Sequence, residues 1–126
     1  MVCGELDLPN RSTSIRRARG AARILARRHG CGPRTTENVT LAVSEAVTNA
    51  IVHGYAGSTG RVQIVAEVSA DEFVVTVSDR GEGLTPRSDS PGLGLGLSII
   101  AQLTTSLRVD SPPGGGTSLR MTFPRA

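Results

Sequence analysis

Val62-Gln63-Ile64-Val65-Ala66-Glu67-Val68, followed after Ser69 to Glu72 by Phe73-Val74-Val75-Thr76-Val77, decides the architecture. Val62, Ile64, Ala66 and Val68 recur at every second position, as do Phe73, Val75 and Val77, which is the spacing of strands with one buried face. The short polar segment between them is enough to reverse the chain, so the pair is predicted as an antiparallel hairpin.

Upstream the period is different. From Ser14 the apolar residues Ile15, Ala18, Ala22, Leu25 and Ala26 recur at threes and fours, with Arg16, Arg23 and Arg27 on another face. This is an amphipathic helix closed near Gly30, which Ser12, Thr13 or Ser14 can cap. A longer helix is expected after Pro33, from about Thr36 to His53, burying Val39, Ala42, Val43, Ala46 and Ala50, with Gly54 at its end. Before both helices, Glu5-Leu6-Asp7-Leu8 alternates and stops at Pro9, which cannot donate to a ladder, so a short strand is expected there. Downstream, Asp79 to Pro91 has no period and reads as an irregular loop. Gly92, Gly94 and Gly96 alternate with leucines in a loop that tightens into a helix over Ser98 to Leu103. Strand signals return at Leu107 to Val109 and at Leu119, Met121 and Phe123.

The order strand, helix, helix, two strands, helix, two strands fits the α+β class: a two-layer α/β sandwich with a mixed, mainly antiparallel sheet and helices on one face. With 126 residues, the chain is expected to be one domain over residues 1–126. Hydrophobic residues at 38% and charged residues at 20% are globular values. No apolar run approaches the roughly 18 residues of a bilayer span, and Met1 to Pro9 lacks the pattern of a secretory signal. A cytoplasmic protein that does not enter the membrane is expected. Cys3 and Cys31 make neither a disulfide framework nor a zinc cluster and read as small buried hydrophobes.

All 14 basic residues are Arg, which excludes chemistry that needs a Lys, such as Schiff bases and the P-loop lysine. Tyr55, Phe73 and Phe123 are the only aromatics, which leaves few platforms for single-stranded bases, and a net charge of +3 does not argue for nucleic acid. Arg11, Arg16, Arg17, Arg19, Arg23, Arg27 and Arg28 concentrate positive charge on one early segment that could meet an acidic partner.

Four segments could carry chemistry. Glu45, Asn49 and His53 are four apart and stack on one face of the long helix. A carboxylate there can take a proton from a hydroxyl or water, and an Asn amide oxygen is a hard neutral ligand suited to Mg²⁺ beside phosphates. The same row also reads as a solvated stripe, with His53 as a capping or packing residue. Asp79-Arg80-Gly81-Glu82-Gly83 follows the hairpin directly; a carboxylate at a strand end can accept from an exocyclic amine such as that of adenine, or the segment is an ordinary turn. Gly92-Leu93-Gly94-Leu95-Gly96-Leu97 opens a helix whose N–H groups favour an anion such as a triphosphate, or forms a plain hinge. It is not a dinucleotide fingerprint, because no strand precedes Gly92 and Leu97 stands where Gly or Ala is needed. Gly115-Gly116-Thr117 precedes the last strand and could be a simple hairpin turn.

Taken in order along one small chain, the four segments resemble the GHKL (Bergerat-fold) ATPase superfamily, and within it the stand-alone anti-sigma factor serine-protein kinases. Ser44 to Tyr55 is similar to that branch's Asn-bearing helix, Asp79 to Gly83 to its first glycine box, Gly92 to Gly96 to its second, and Gly115 to Thr117 to its last. The resemblance implies that Glu45 is the catalytic carboxylate and Asn49 the Mg²⁺ ligand. It implies that Asp79 accepts the adenine amine, with Gly81 and Gly83 flanking the base and Thr117 closing its pocket. Gly94 and Gly96 would face the phosphates, with Gly92 and Leu97 in the same nucleotide-binding segment.

It further implies ATP and Mg²⁺ as cofactors, a sigma factor and a STAS-type anti-anti-sigma protein as partners, and a homodimer. Thirteen residues from Asp79 to Pro91 make a short lid, so slow turnover is expected. With no Lys near the phosphates, transition-state charge would fall to Mg²⁺, backbone N–H groups and Arg80 or Arg87. Within the same resemblance stand a switch kinase that never touches sigma and a non-catalytic binding module that holds nucleotide. A histidine-kinase fragment would need a phospho-accepting His, for which only His29 and His53 are available.

Overall fold

The computed structural model of the protein describes residues 1–54, 60–79, 93–111 and 116–125, with residues 53, 54 and 93–95 as backbone alone. Its strands are β1 (Val2–Pro9), β2 (Arg61–Val68), β3 (Glu72–Asp79), β4 (Ser106–Asp110) and β5 (Thr117–Pro124). They form one five-stranded sheet in the order β1-β2-β3-β5-β4. The helices are α1 (Thr13–Arg28), α2 (Pro33–Asn49) and α3 (Leu93–Leu103). The two-layer α+β sandwich and the β2–β3 hairpin are as predicted. All four strand pairings are antiparallel, so among the described residues the parallel component that a mixed sheet implies is absent.

The apolar residues of the alternating runs on β1, β2, β3 and β5 face a single core. Leu8, Val62, Ile64, Ala66, Phe73, Val75, Val77, Leu119, Met121 and Phe123 meet helix residues including Ala22, Val39, Val43, Val47 and Ile100. In α1 the buried positions are Ser14, Ala18, Ala22 and Ala26, a strip at four-residue spacing whose small side chains let α1 lie close against α2. Because α2 also packs on α3, β3 and β5, it is the central helix of its layer.

The helix ends show where local chemistry overrode periodicity. At the end of α1, Cys31 N–H donates to Ala26 O at 3.0 Å and Gly30 N–H to Arg27 O at 3.2 Å, while Gly30 sits at φ 85°. This is a Schellman stop, and Gly30 supplies the left-handed residue it requires. At the start of α1 the expected side-chain cap is not made, because Ser12 already has helical angles. Ser14 Oγ instead donates to Pro9 O at 2.7 Å and ties β1 to α1. Helix α2 begins at Pro33, three residues before the expected Thr36, since proline is preorganised for the first helical position. It does not run regularly to His53. It ends at Asn49 and passes into one wide turn of π-helical hydrogen bonding, Ala50–Gly54. Helix α3 starts at Leu93, so Gly94 and Gly96 lie inside the helix rather than in a preceding loop.

Cys31 is buried, whereas Cys3 is half-buried at an irregularity in β1 between Val2 and Gly4. Burial pushes both thiols above their ordinary range, opposed at Cys31 by the nearby Arg125 guanidinium. Among the described residues, no helix is long and apolar enough to cross a membrane.

Candidate nucleotide-binding site

Helix α2 supplies one side of the site. Glu45 and Asn49 stand one turn apart, Glu45 half-buried and Asn49 only 4% exposed. Between them, Thr48 Oγ1 donates to Ser44 O at 2.6 Å, a back-bond that competes with regular helical pairing just before the wide turn. π-type turns break the four-residue register and are frequent where a helix serves a ligand. Here the turn follows Asn49 immediately, so the Glu45-Asn49 spacing is preserved and the expected continuation of the row to His53 is not regular.

The Asn49 amide nitrogen is buried and has no hydrogen-bond partner among the described residues. A buried unpaired donor costs about 1–3 kcal/mol, so native proteins keep few of them. Helix α3 presses on the same group: a β-carbon on Gly96 would stand 2.8 Å from Asn49 Nδ2 and 3.1 Å from Oδ1. Gly96, expected to face phosphates, is therefore seated against the Asn49 carboxamide.

Strands β3 and β5 supply the other side. Asp79, the last residue of β3, pairs with Thr117, the first of β5, and with Val62 near the start of β2. Both polar residues sit on the buried face, Asp79 at 4% and Thr117 at 1% exposure. Thr117 follows Gly116, which lies at φ 92° and turns the chain into β5. The wide turn after Asn49 packs on β3. The structure thus brings together Asn49 with Gly96, and Asp79 with Thr117, with α2 packed on both strands that carry the second pair.

Leu97 is half-buried and packs against the core. Gly94 lies in the first turn of α3. Gly81, Gly83 and Gly92 lie outside the described residues, as do Arg80, Arg87 and Gly115. Sequence reasoning passed over Ser78 and Ser118, whose hydroxyls meet at 3.0 Å beside the Asp79-Thr117 pair. Alternation along β3 turns Ser78 away from the core, but only strand register reveals its partner. A second surface lies on α1, where Arg16, Arg17, Arg19, Arg23, Arg27 and Arg28 are all exposed, with Ile24 among them at 58%.

The histidine kinase-like ATPase domain family matches residues 8–123 of this chain. The chain is 35% identical over 96 residues to the anti-sigma F factor of Thermoanaerobacter sp. (strain X514), which covers 68% of this chain and 67% of that protein. It is 36% identical over 94 residues to the anti-sigma F factor of Clostridium beijerinckii, covering 65% of this chain and 66% of that one. Among solved structures, the RsbU and RsbW domains of a Mycobacterium tuberculosis protein superpose with a TM-score of 0.74 at 25% identity, over 96% of this chain and 32% of that one. The SiaB-SiaC complex from Pseudomonas aeruginosa shares the fold, with a TM-score of 0.67 at 17% identity over 97% and 89% of the two chains. The motif order, the sandwich, and the match over residues 8–123 converge: the chain belongs to the histidine kinase-like ATPase family, the ATP-binding GHKL group.

Proposed function

We propose that this protein is an anti-sigma factor with ATP-dependent serine-protein kinase activity, sequestering a sigma factor and phosphorylating a serine of an anti-anti-sigma partner. The observation that carries the reading is Asn49, a buried amide whose nitrogen has no partner among the described residues, one turn from Glu45 and walled by Gly96, in a chain similar to anti-sigma F factors. These residues fit the group the family implies. The carboxamide oxygen of Asn49 would hold Mg²⁺, a hard cation that takes few protein ligands beside phosphates. Asp79 would accept from the adenine amine, with Thr117 beside it, through a charge-assisted hydrogen bond of the stronger kind. When bound, Mg·ATP supplies the phosphoryl group and the cation that neutralises its developing charge.

The chain's own part in the transfer is limited and definite. Glu45 takes the proton of the attacking serine hydroxyl, and its half-exposed position leaves it open to a substrate approaching from outside. Helix α2 fixes Glu45 and Asn49 at a constant separation, so base and metal ligand move as one body. The arginine face of α1 is the docking surface for an acidic partner, and the working unit is a homodimer.

The test is affinity capture from native lysate, run with ATP and with ADP, followed by mapping of phosphorylated residues. Recovery of a sigma factor in one condition and of a small serine-phosphorylated protein in the other is the expected outcome. Nucleotide binding without transfer to any serine protein would leave a binding module in place of a kinase. A sedimentation mass of one chain would remove the dimer.

A further inference from the structure

On the outer face of the sheet, the strand pairings place Asp7, Gln63, Ser78, Ser118 and Asp110 in a single cross-strand row. Its two ends carry exposed ion pairs, Arg61 to Asp7 at 2.8 Å and Arg108 to Asp110 at 3.2 Å. Exposed pairs of this kind hold little. At its centre, Ser78 and Ser118 join β3 to β5 through a half-buried hydroxyl contact of 3.0 Å.

The position of that contact matters. Asp79 is the terminal residue of β3 and Thr117 the first of β5, so the pair that faces the proposed base pocket stands where both strands end. Strand ends open at low free-energy cost, and a displacement of well under 1 Å is enough to spoil a hydrogen bond to a ligand. The serine pair is one residue inside that end and on the opposite face, so it can hold the strands together without occupying the pocket.

We propose that Ser78 and Ser118 form a positioning latch that fixes Asp79 and Thr117 for recognition of the adenine amine. The inference rests on the reading of Asp79 as the amine acceptor. The hydroxyls touch no ligand; they add a cross-strand tie, beside the backbone ladder, at the end of the two strands that carry the residues which do.

The experiment compares binding of ATP with that of purine riboside triphosphate, which lacks the exocyclic amine, by calorimetry on the whole chain. Wild type is expected to favour ATP by about tenfold or more, the value of one hydrogen bond to a charged acceptor. Ser78→Ala and, independently, Ser118→Ala should bring that ratio down several-fold, with affinity for the amine-free nucleotide nearly unchanged. The double variant should lose no more than either single one, since both break the same contact. Ser78→Thr, which keeps the hydroxyl and suits a strand, should restore the ratio. An undiminished ratio in both alanine variants would overturn the latch, and so would equal weakening of the two nucleotides, the mark of general loosening. No preference in wild type would remove the Asp79 reading and the latch with it, whereas a wild-type preference that survives both substitutions removes only the latch.

Discussion

Gly96 and Asn49 are in contact across the α2–α3 interface so closely that a β-carbon on Gly96 would stand 2.8 Å from the Asn49 amide nitrogen. The glycine is thus a seat for a side chain, a role distinct from conformational freedom. It ties the second glycine segment mechanically to the residue proposed to hold the metal.

Gly96→Ala should therefore separate stability from binding. Alanine favours a helix over glycine by about 1 kcal/mol, so α3 is not weakened by propensity. The added methyl must displace the Asn49 carboxamide, and Mg²⁺-dependent ATP affinity should fall by about tenfold while the thermal midpoint stays near that of wild type. Gly20→Ala on α1 is the control: nothing lies within 4 Å of its β-carbon position, and the variant should be slightly more stable with unchanged nucleotide affinity. Calorimetry and thermal melts read both. Unaltered ATP affinity in Gly96→Ala would show that Asn49 can shift without consequence.

Glu45→Gln keeps the shape of the side chain and removes its capacity as a base. Phosphoryl transfer to the partner serine should fall by about 10²–10⁴, with ATP affinity within a small factor of wild type. A radiolabel transfer assay beside a binding titration checks this. Undiminished transfer would take Glu45 out of the mechanism.

Ser14→Ala should lower stability. Ser14 is fully buried and its hydroxyl donates to Pro9 O at 2.7 Å, a part-buried carbonyl that Arg11 N–H also reaches at 2.8 Å, so the substitution removes one of its two donors. The cost is about 0.5–1.5 kcal/mol, at roughly 3–5 °C in melting midpoint per kcal/mol for a chain of 126 residues. The end of β1 lies on the same side of the sheet as Asp79, through the Leu8–Val62 and Val62–Asp79 pairings, so a nucleotide titration beside the melt shows whether the tie also shapes the site.

The cysteines set an alkaline limit. Burial raises both thiols, so the folded state prefers them protonated. Their contribution is complete below the pKa of an unfolded thiol, about 8.5, and is lost as pH climbs through the raised folded values. Denaturant midpoints should therefore decline above about pH 8.5, less steeply in Cys31→Ala than in wild type. Identical slopes in the two proteins would mean Cys31 carries none of the effect.

How far the sequence was legible depends on the range of the interaction involved. The period-two runs at Val62 to Val77 and the small-residue strip of α1 are local patterns, and they named the sandwich and most of its elements. The pairing of Asp79 with Thr117, which β5 completes from 38 residues away, depends on register, and only the last-strand motif hinted at it. The start of α2 at Pro33 was written in the proline itself, but the apolar period masked it. The wide turn after Asn49 left no trace in composition, since Ala50, Ile51 and Val52 suit an ordinary helix equally well. Ser78 and Ser118 were invisible singly, because a serine on a solvent face carries no pattern until its neighbour is known.

The chain closes one pole of the molecule by itself. Arg125 donates to His29 O at 2.7 Å and to Ser69 O at 3.0 Å, its backbone joins Asp71 O, and the Met1 amino group reaches Val68 O. These ties bind both termini, the α1–α2 junction and the β2–β3 turn, all at the far pole from Asp79. Nucleotide would do at its own pole what Arg125 does at this one, acting as a fastener as well as a substrate. Occupancy and heat resistance should then rise together, by RT ln(1 + [L]/Kd), so that the cell's ATP level sets how long a folded copy survives.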